Sequence, residues 1–212
     1  MASAPIPAFI DPWEVFQRGG LTEGILRDAV LTGEAARENC TQFDPRGAKG
    51  YCAWHRTVGD LRQQLVQRDW IMKDDGNFPI IISPDGLLAI AVATGDEATG
   101  NRGAMPKTKY PRGAVAKSYV DVNQQLLIPG SRETVDITAE SRATWFLLKR
   151  RVDDTVHFEL SLPSKMNLDT PIGDWSARIF FDPIKLDPSA VLYTDDDDDG
   201  DDEIDIPVPR RS

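Results

Sequence analysis

The chain has 212 residues, 41% of them apolar, with two cysteines and a formal net charge of −10. This is enough apolar material for one sizeable domain, or at most two small ones, and it excludes a wholly disordered chain and a disulfide-built scaffold. The charge is unevenly placed, because residues 193–212 hold nine acids and two arginines, a net −7, leaving −3 of the −10 for residues 1–192.

Asp11-Pro12 is a helix start signal and Gly19-Gly20 a break, so two short helices are expected between Asp11 and Ala36. In the second, Ile25, Ala29 and either Val30 or Leu31 share an inward stripe, with Glu23, Arg27 and Glu34 in water. Residues 39–56 are rich in glycine and polar groups and read as a loop carrying two free thiols, Cys40 and Cys52. Thr57 then reads as an N-cap with Asp60 three residues on, followed by a helix whose inner face is Val58, Leu61, Leu65 and Val66.

The period changes at Phe78. Pro79-Ile80-Ile81-Ile82, the turn Ser83-Pro84-Asp85-Gly86 and Leu87 to Ala93 form strand, turn and strand, apolar on both faces and so central in a covered sheet. Residues 94–113 read as a long loop, and strands are expected at Ala114 to Val122 and Gln125 to Ile128. A hairpin joins Thr144–Val152 to Thr155–Leu162 across Asp153-Asp154, with Val156, Phe158, Leu160 and Leu162 facing inward and His157 on the polar side. The last strand is Ser176 to Phe181. The expected fold is therefore α+β: N-terminal helices packed on a mainly antiparallel sheet in one domain, 1–192 (helical part 11–73, sheet part 78–192), followed by a disordered acidic tail, 193–212. No stretch approaches the roughly 20 apolar residues of a membrane span and the start lacks a signal pattern, which predicts a cytoplasmic protein with no membrane partner.

The tail is the sharpest chemical feature. Asp195, Asp196, Asp197, Asp198 and Asp199 precede Gly200, and Asp201, Asp202, Glu203 and Asp205 follow before the apolar Ile206, Pro207 and Val208. Such a polyanion with an apolar end suits a basic pocket on a protein partner. Asp195, Asp197, Asp199 and Gly200 match the first half of an EF-hand loop, but Asp202 stands where an apolar residue belongs and Ile206 where the bidentate Glu belongs, so no metal is assigned. Asp205-Ile206-Pro207-Val208 resembles the end of bacterial single-stranded DNA-binding proteins, whose acidic tails finish in Asp-Ile-Pro-Phe. In that family the terminal Phe and its carboxylate are captured by repair and replication partners; here Pro209-Arg210-Arg211-Ser212 follows Val208.

Upstream, Arg102, Lys107, Lys109, Arg112 and Lys117 lie in an acid-free stretch with Tyr110 inside it and Tyr119 beside it. Cations interleaved with aromatics suit phosphate contact and base stacking, and the same stretch offers the tail an internal partner. Gly95 to Gly100 has the two-glycine spacing of a P-loop, but Asn101-Arg102 replaces the required Lys and Ser/Thr, leaving a glycine-permitted turn. Cys40, Cys52, His55 and His157 do not have the spacing of a compact zinc module, and no cofactor is implied. Three functions remain. The first is a non-enzymatic interaction protein whose tail docks on a basic protein or on its own basic loop. The second is nucleic-acid binding through residues 101–119 under tail autoinhibition, and the third is a hydrolase or nuclease whose site is not visible in the sequence.

Overall fold

The structure, a computed structural model, describes Val15 and residues 19–127 and 142–187. The helix expected from Asp11 and the whole acidic segment with its docking residues lie outside these limits. Within them the chain is α+β, with three helices and a seven-stranded, mostly antiparallel sheet.

Helix α1 spans Glu23–Glu38 and is capped by Thr22, whose Oγ1 accepts from the Ile25 amide at 3.3 Å. Glu23 in its first turn and Arg37 in its last complement the helix dipole. Ile25, Leu26, Ala29 and Val30 face inward, and Leu31 is the exposed alternative at 38%. One expectation fails here: Glu34 is not in water but 4% exposed, for a reason given below.

Helix α2 spans Ala48–Val66, so it begins well before the cap expected at Thr57 and replaces much of the expected loop. Thr57 lies mid-helix, fully buried, with its hydroxyl donating to the Ala53 carbonyl at 2.7 Å. The inner face runs Ala53, Thr57, Val58, Leu61, Leu65. A threonine at an interior position of that face, with Gly50 and Gly59 in the same helix, is what made the segment read as loop plus cap. Val66, expected inside, is exposed. Gly33 of α1 sits against Thr57 and the Ala53 carbonyl so closely that a Cβ would overlap both, which is how the two helices approach.

Strands β1 (Ile71–Asp75), β2 (Phe78–Ile82) and β3 (Leu88–Thr94) pair as an antiparallel meander. The β2–β3 turn is tied by Ser83, which receives the Leu88 amide on its Oγ at 3.0 Å and donates its own amide to the Leu88 carbonyl at 2.8 Å. β1 was not expected; it is an edge strand whose Lys73-Asp74-Asp75 charges suit that position. Strand β4 (Ala143–Val152) lies parallel to β3, so the connection between them crosses over the sheet. That connection carries helix α3, Ala114–Leu127, where two strands were expected. Its valines favour strand, but Ala116, Val120 and Asn123 are buried at i, i+4 and i+7, and the helical period prevails. Strand β5 (Thr155–Lys165) pairs antiparallel with β4 around Asp153-Asp154, then with β6 (Asp174–Phe180) and, at its start, with the short β7 (Ile184–Lys185).

The sheet is covered on both faces. Against one pack α1 and α2, burying Leu26, Val30, Leu61 and Leu65 on Ile90, Trp145, Leu147, Phe158 and Leu160. Against the other pack α3 and the 95–113 connection, over Ile80, Phe146, Leu148 and Trp175. Ala89, Ala91 and Ala93 line that second face of β3 and leave room for the helix. Asn123 fixes its depth: its amide nitrogen donates to the Thr144 and Pro163 carbonyls at 2.9 and 3.1 Å, and its oxygen accepts the Thr144 amide at 2.8 Å. Among the described residues no helix is long and apolar enough to cross a membrane.

Candidate functional site

The long connection after β3 is held down at every few residues. The Gly95 amide donates to the Lys149 carbonyl at 2.9 Å, Asp96 to Lys107, Lys109 to Thr94, and Thr108 to Ile172, each also at 2.9 Å. Trp175 Nε1 donates to the Pro106 carbonyl at 2.7 Å. The strongest anchor is Glu159 on β5, which is fully buried. Its Oε1 accepts from Arg178 Nε at 2.8 Å and Ser161 Oγ at 2.6 Å, and its Oε2 accepts from Arg178 Nη2 and the Gly100 amide, both at 2.7 Å. Four donors on one carboxylate, two from a guanidinium fork, neutralise the buried charge. The same guanidinium donates to the Ala104 carbonyl at 2.6 Å and the Asn101 carbonyl at 3.2 Å. The Gly100 amide is thus given to Glu159, which agrees with reading Gly95–Gly100 as a turn.

This clamp walls a cleft of about 350 Å³ at the end of the β4–β5 hairpin, lined by Glu97, Thr99, Gly100, Asn101, Arg150, Val152 and His157. Arg150 and His157 are register partners on adjacent strands. Arg150 Nε and Thr99 Oγ1 are buried and make no hydrogen bond. Gly100, with φ of 78°, lies on the histidine: a Cβ there would sit 3.4 Å from His157 Nδ1. His157, expected on the surface, is therefore half-buried in the cleft wall. A second cleft, about 530 Å³, lies between α2 and the β1–β2 turn, with Tyr51, Trp54, His55 and Pro79 among its lining. Arg62 closes one side by donating to Asp74 at 2.8 Å and to the Lys73 and Ile80 carbonyls.

The basic stretch singled out from the sequence is spread across the width of the sheet. Arg102 stacks on the Phe180 ring at 4.6 Å, beside β6. Tyr119 is at the other end of the sheet, accepting from Lys73 Nζ at 3.1 Å and donating to Asp75 at 3.0 Å on β1. Five strand spacings separate β1 from β6, about 24 Å. Between them, Lys117 pairs with Asp121 at 2.6 Å, Lys107 is exposed and runs along Gly173, and Lys109 lies over the Tyr110 ring at 5.6 Å. Arg112 is half-buried, and burial lowers its pKa.

Two charged pairs escaped sequence reasoning. Glu159 alternates with Phe158 and Leu160, which marks it as facing away from the helical core, but nothing in the sequence shows that the opposite face is also covered. Lys149 on β4 meets Glu34 of α1 at 2.8 Å with both side chains about 5% exposed or less, and this is why Glu34 is inside. Burial lowers the Lys149 pKa and Glu34 opposes that shift. Among the described residues no three His, Cys, Asp or Glu side chains gather as metal ligands, and Cys40 and Cys52 are free thiols. No family model, curated protein or solved structure matches this chain.

Proposed function

We propose that this protein is a non-enzymatic interaction protein that engages a basic partner through Asp195–Asp205, with Ile206, Pro207 and Val208 as the apolar end of the contact. The observation that carries the reading is the separation of charge, nine carboxylates within residues 195–206 against a net −3 for residues 1–192. A single-sign segment of this density attracts cationic surfaces from a distance and raises the rate of encounter. The α+β body then serves as a carrier. Part of the basic stretch is already engaged within the chain, Lys117 by Asp121 and Arg102 over the Phe180 ring, which leaves fewer cations for a phosphate backbone.

The test is fluorescence anisotropy of a labelled oligo-arginine peptide, titrated with the full chain and with a full-chain variant carrying Asp195→Asn through Asp199→Asn. Binding is expected to weaken about tenfold or more in the variant and to fall steeply with salt. Equal affinity for both proteins would remove the reading. A single-stranded oligonucleotide in the same assay addresses the alternative, and oligonucleotide binding tighter than peptide binding would favour it.

A further inference from the structure

We propose that the cleft at the end of the β4–β5 hairpin is the resting seat of this chain's own acidic segment, so that residues 195–205 bind internally to Arg150 and its neighbours until a basic partner displaces them. The proposal rests on the reading above, in which that segment is the docking arm, and adds where it is held when unbound.

The chemistry of the cleft is that of a carboxylate site. Arg150 lines it, and its Nε meets no acceptor among the described residues. An unmade hydrogen bond from a guanidinium is a standing demand for an oxygen acceptor, and a carboxylate meets an arginine fork better than any neutral group. Strand alternation places Arg150 and His157 on the same face of the sheet, and Lys185, register partner of Thr155, falls on that face too. Lys185 is exposed, as is Arg102, next in the chain to Asn101 of the cleft wall. Among the described residues Glu97 is the one acid lining the cleft. Glu159 behind it adds no repulsion, because Arg178 neutralises it.

Connectivity supplies the second argument. The described chain leaves the sheet through β7, with the Leu186 amide donating to the Asp154 carbonyl at 2.7 Å. From Thr155, opposite Lys185, the cleft wall at His157 is two residues along β5, about 7 Å. Asp195 follows Asp187 by eight residues, a reach of up to about 27 Å, so the acidic run begins within range of the cleft. A ligand on so short a tether meets its site at an effective concentration of order millimolar, enough to occupy a site of modest intrinsic affinity.

The experiment compares ¹⁵N-labelled full chain with the full-chain variant Asp195→Asn through Asp199→Asn. The Gly100, Asn101 and His157 amides and the Arg150 side chain should shift between the two at low salt and converge near about 0.5 M salt. Arg150→Gln and, separately, Lys185→Gln should shrink that difference and tighten oligo-arginine binding about two- to tenfold by removing an internal competitor. Lys185 is an exposed strand end, so its variant keeps the test open if Arg150→Gln folds poorly. Identical cleft signals in parent and tail variant at low salt overturn the seat, even if oligo-arginine still binds through the tail. Shifted cleft signals without oligo-arginine binding leave the seat standing and remove the proposed function instead.

Discussion

Arg178 reaches Glu159 with two nitrogens, Nε at 2.8 Å and Nη2 at 2.7 Å, and with its third it holds the Ala104 carbonyl at 2.6 Å. One guanidinium therefore fastens the 95–113 connection to strands β5 and β6. Glu159→Gln leaves a buried guanidinium short of its counter-charge and should cost about 3–5 kcal/mol in urea unfolding. Arg178→Lys should recover little, since a single ammonium cannot serve both carboxylate oxygens and the loop carbonyls. Hydrogen exchange at the Gly100 amide should accelerate in both variants; an unchanged rate would show that the clamp does not hold the loop.

The Lys149–Glu34 pair predicts a pH signature. The Lys149 pKa lies below its ordinary 10.5, chiefly because of burial, with Glu34 working against the shift. Between the folded value and 10.5 the unfolded chain keeps a proton that the folded chain has released, so this group makes stability rise with pH through that window. Lys149→Met should flatten the rise. It also strands the Glu34 carboxylate and should destabilise by about 3 kcal/mol near neutral pH, whereas adding Glu34→Leu should restore most of the loss. Thermal melts across alkaline pH on the single and double variants measure both effects.

Gly33→Ala tests the α1–α2 contact. The added methyl would overlap Thr57 Oγ1 and the Ala53 carbonyl, so the helices must separate at a cost of about 1–3 kcal/mol. Thr57→Ala in the same chain should return only part of it, because the carbonyl remains. Chemical denaturation midpoints decide this, and a neutral Gly33→Ala would mean that the helices slide past each other freely.

Cys40 should alkylate slowly near neutral pH. Burial and then the neighbouring Cys52 thiol push its pKa up to about 11, and the thiolate is the nucleophile. Its rate with iodoacetamide, followed by mass spectrometry, should climb roughly tenfold per pH unit on approaching that value. Cys52→Ser should bring the climb to lower pH. Rapid labelling of Cys40 in the parent protein near neutral pH would contradict the assignment.

The strands that are apolar on both faces, β2 and β3, and the alternating β4–β5 hairpin were legible because burial writes itself as a pattern of two. What stayed hidden was written by other means. Thr57 looked like a cap since its hydroxyl competes for backbone groups, and only the neighbouring Gly33 explains its place inside a helix interface. Valines in α3 outweighed its helical spacing. Glu34 reads as a wet helix residue because its partner Lys149 is remote in the chain, and nothing in the sequence marks Glu159 and Arg178 as a pair. Of the candidate cleft, Gly95–Gly100 was legible as a turn, while its juxtaposition with Arg150 and His157 depends on the crossover.

That crossover has a consequence for assembly. β1–β3 and β4–β7 are each built from near neighbours in sequence, and the two sets join through one parallel ladder, Leu88–Thr94 on Ala143–Lys149. Closing that ladder requires about 50 intervening residues to be gathered first, which places it late and makes it slow. Until it closes, β3 and β4 each present an apolar, unpaired edge, so newly made chains meet their greatest risk of joining one another at the strands that end up deepest inside.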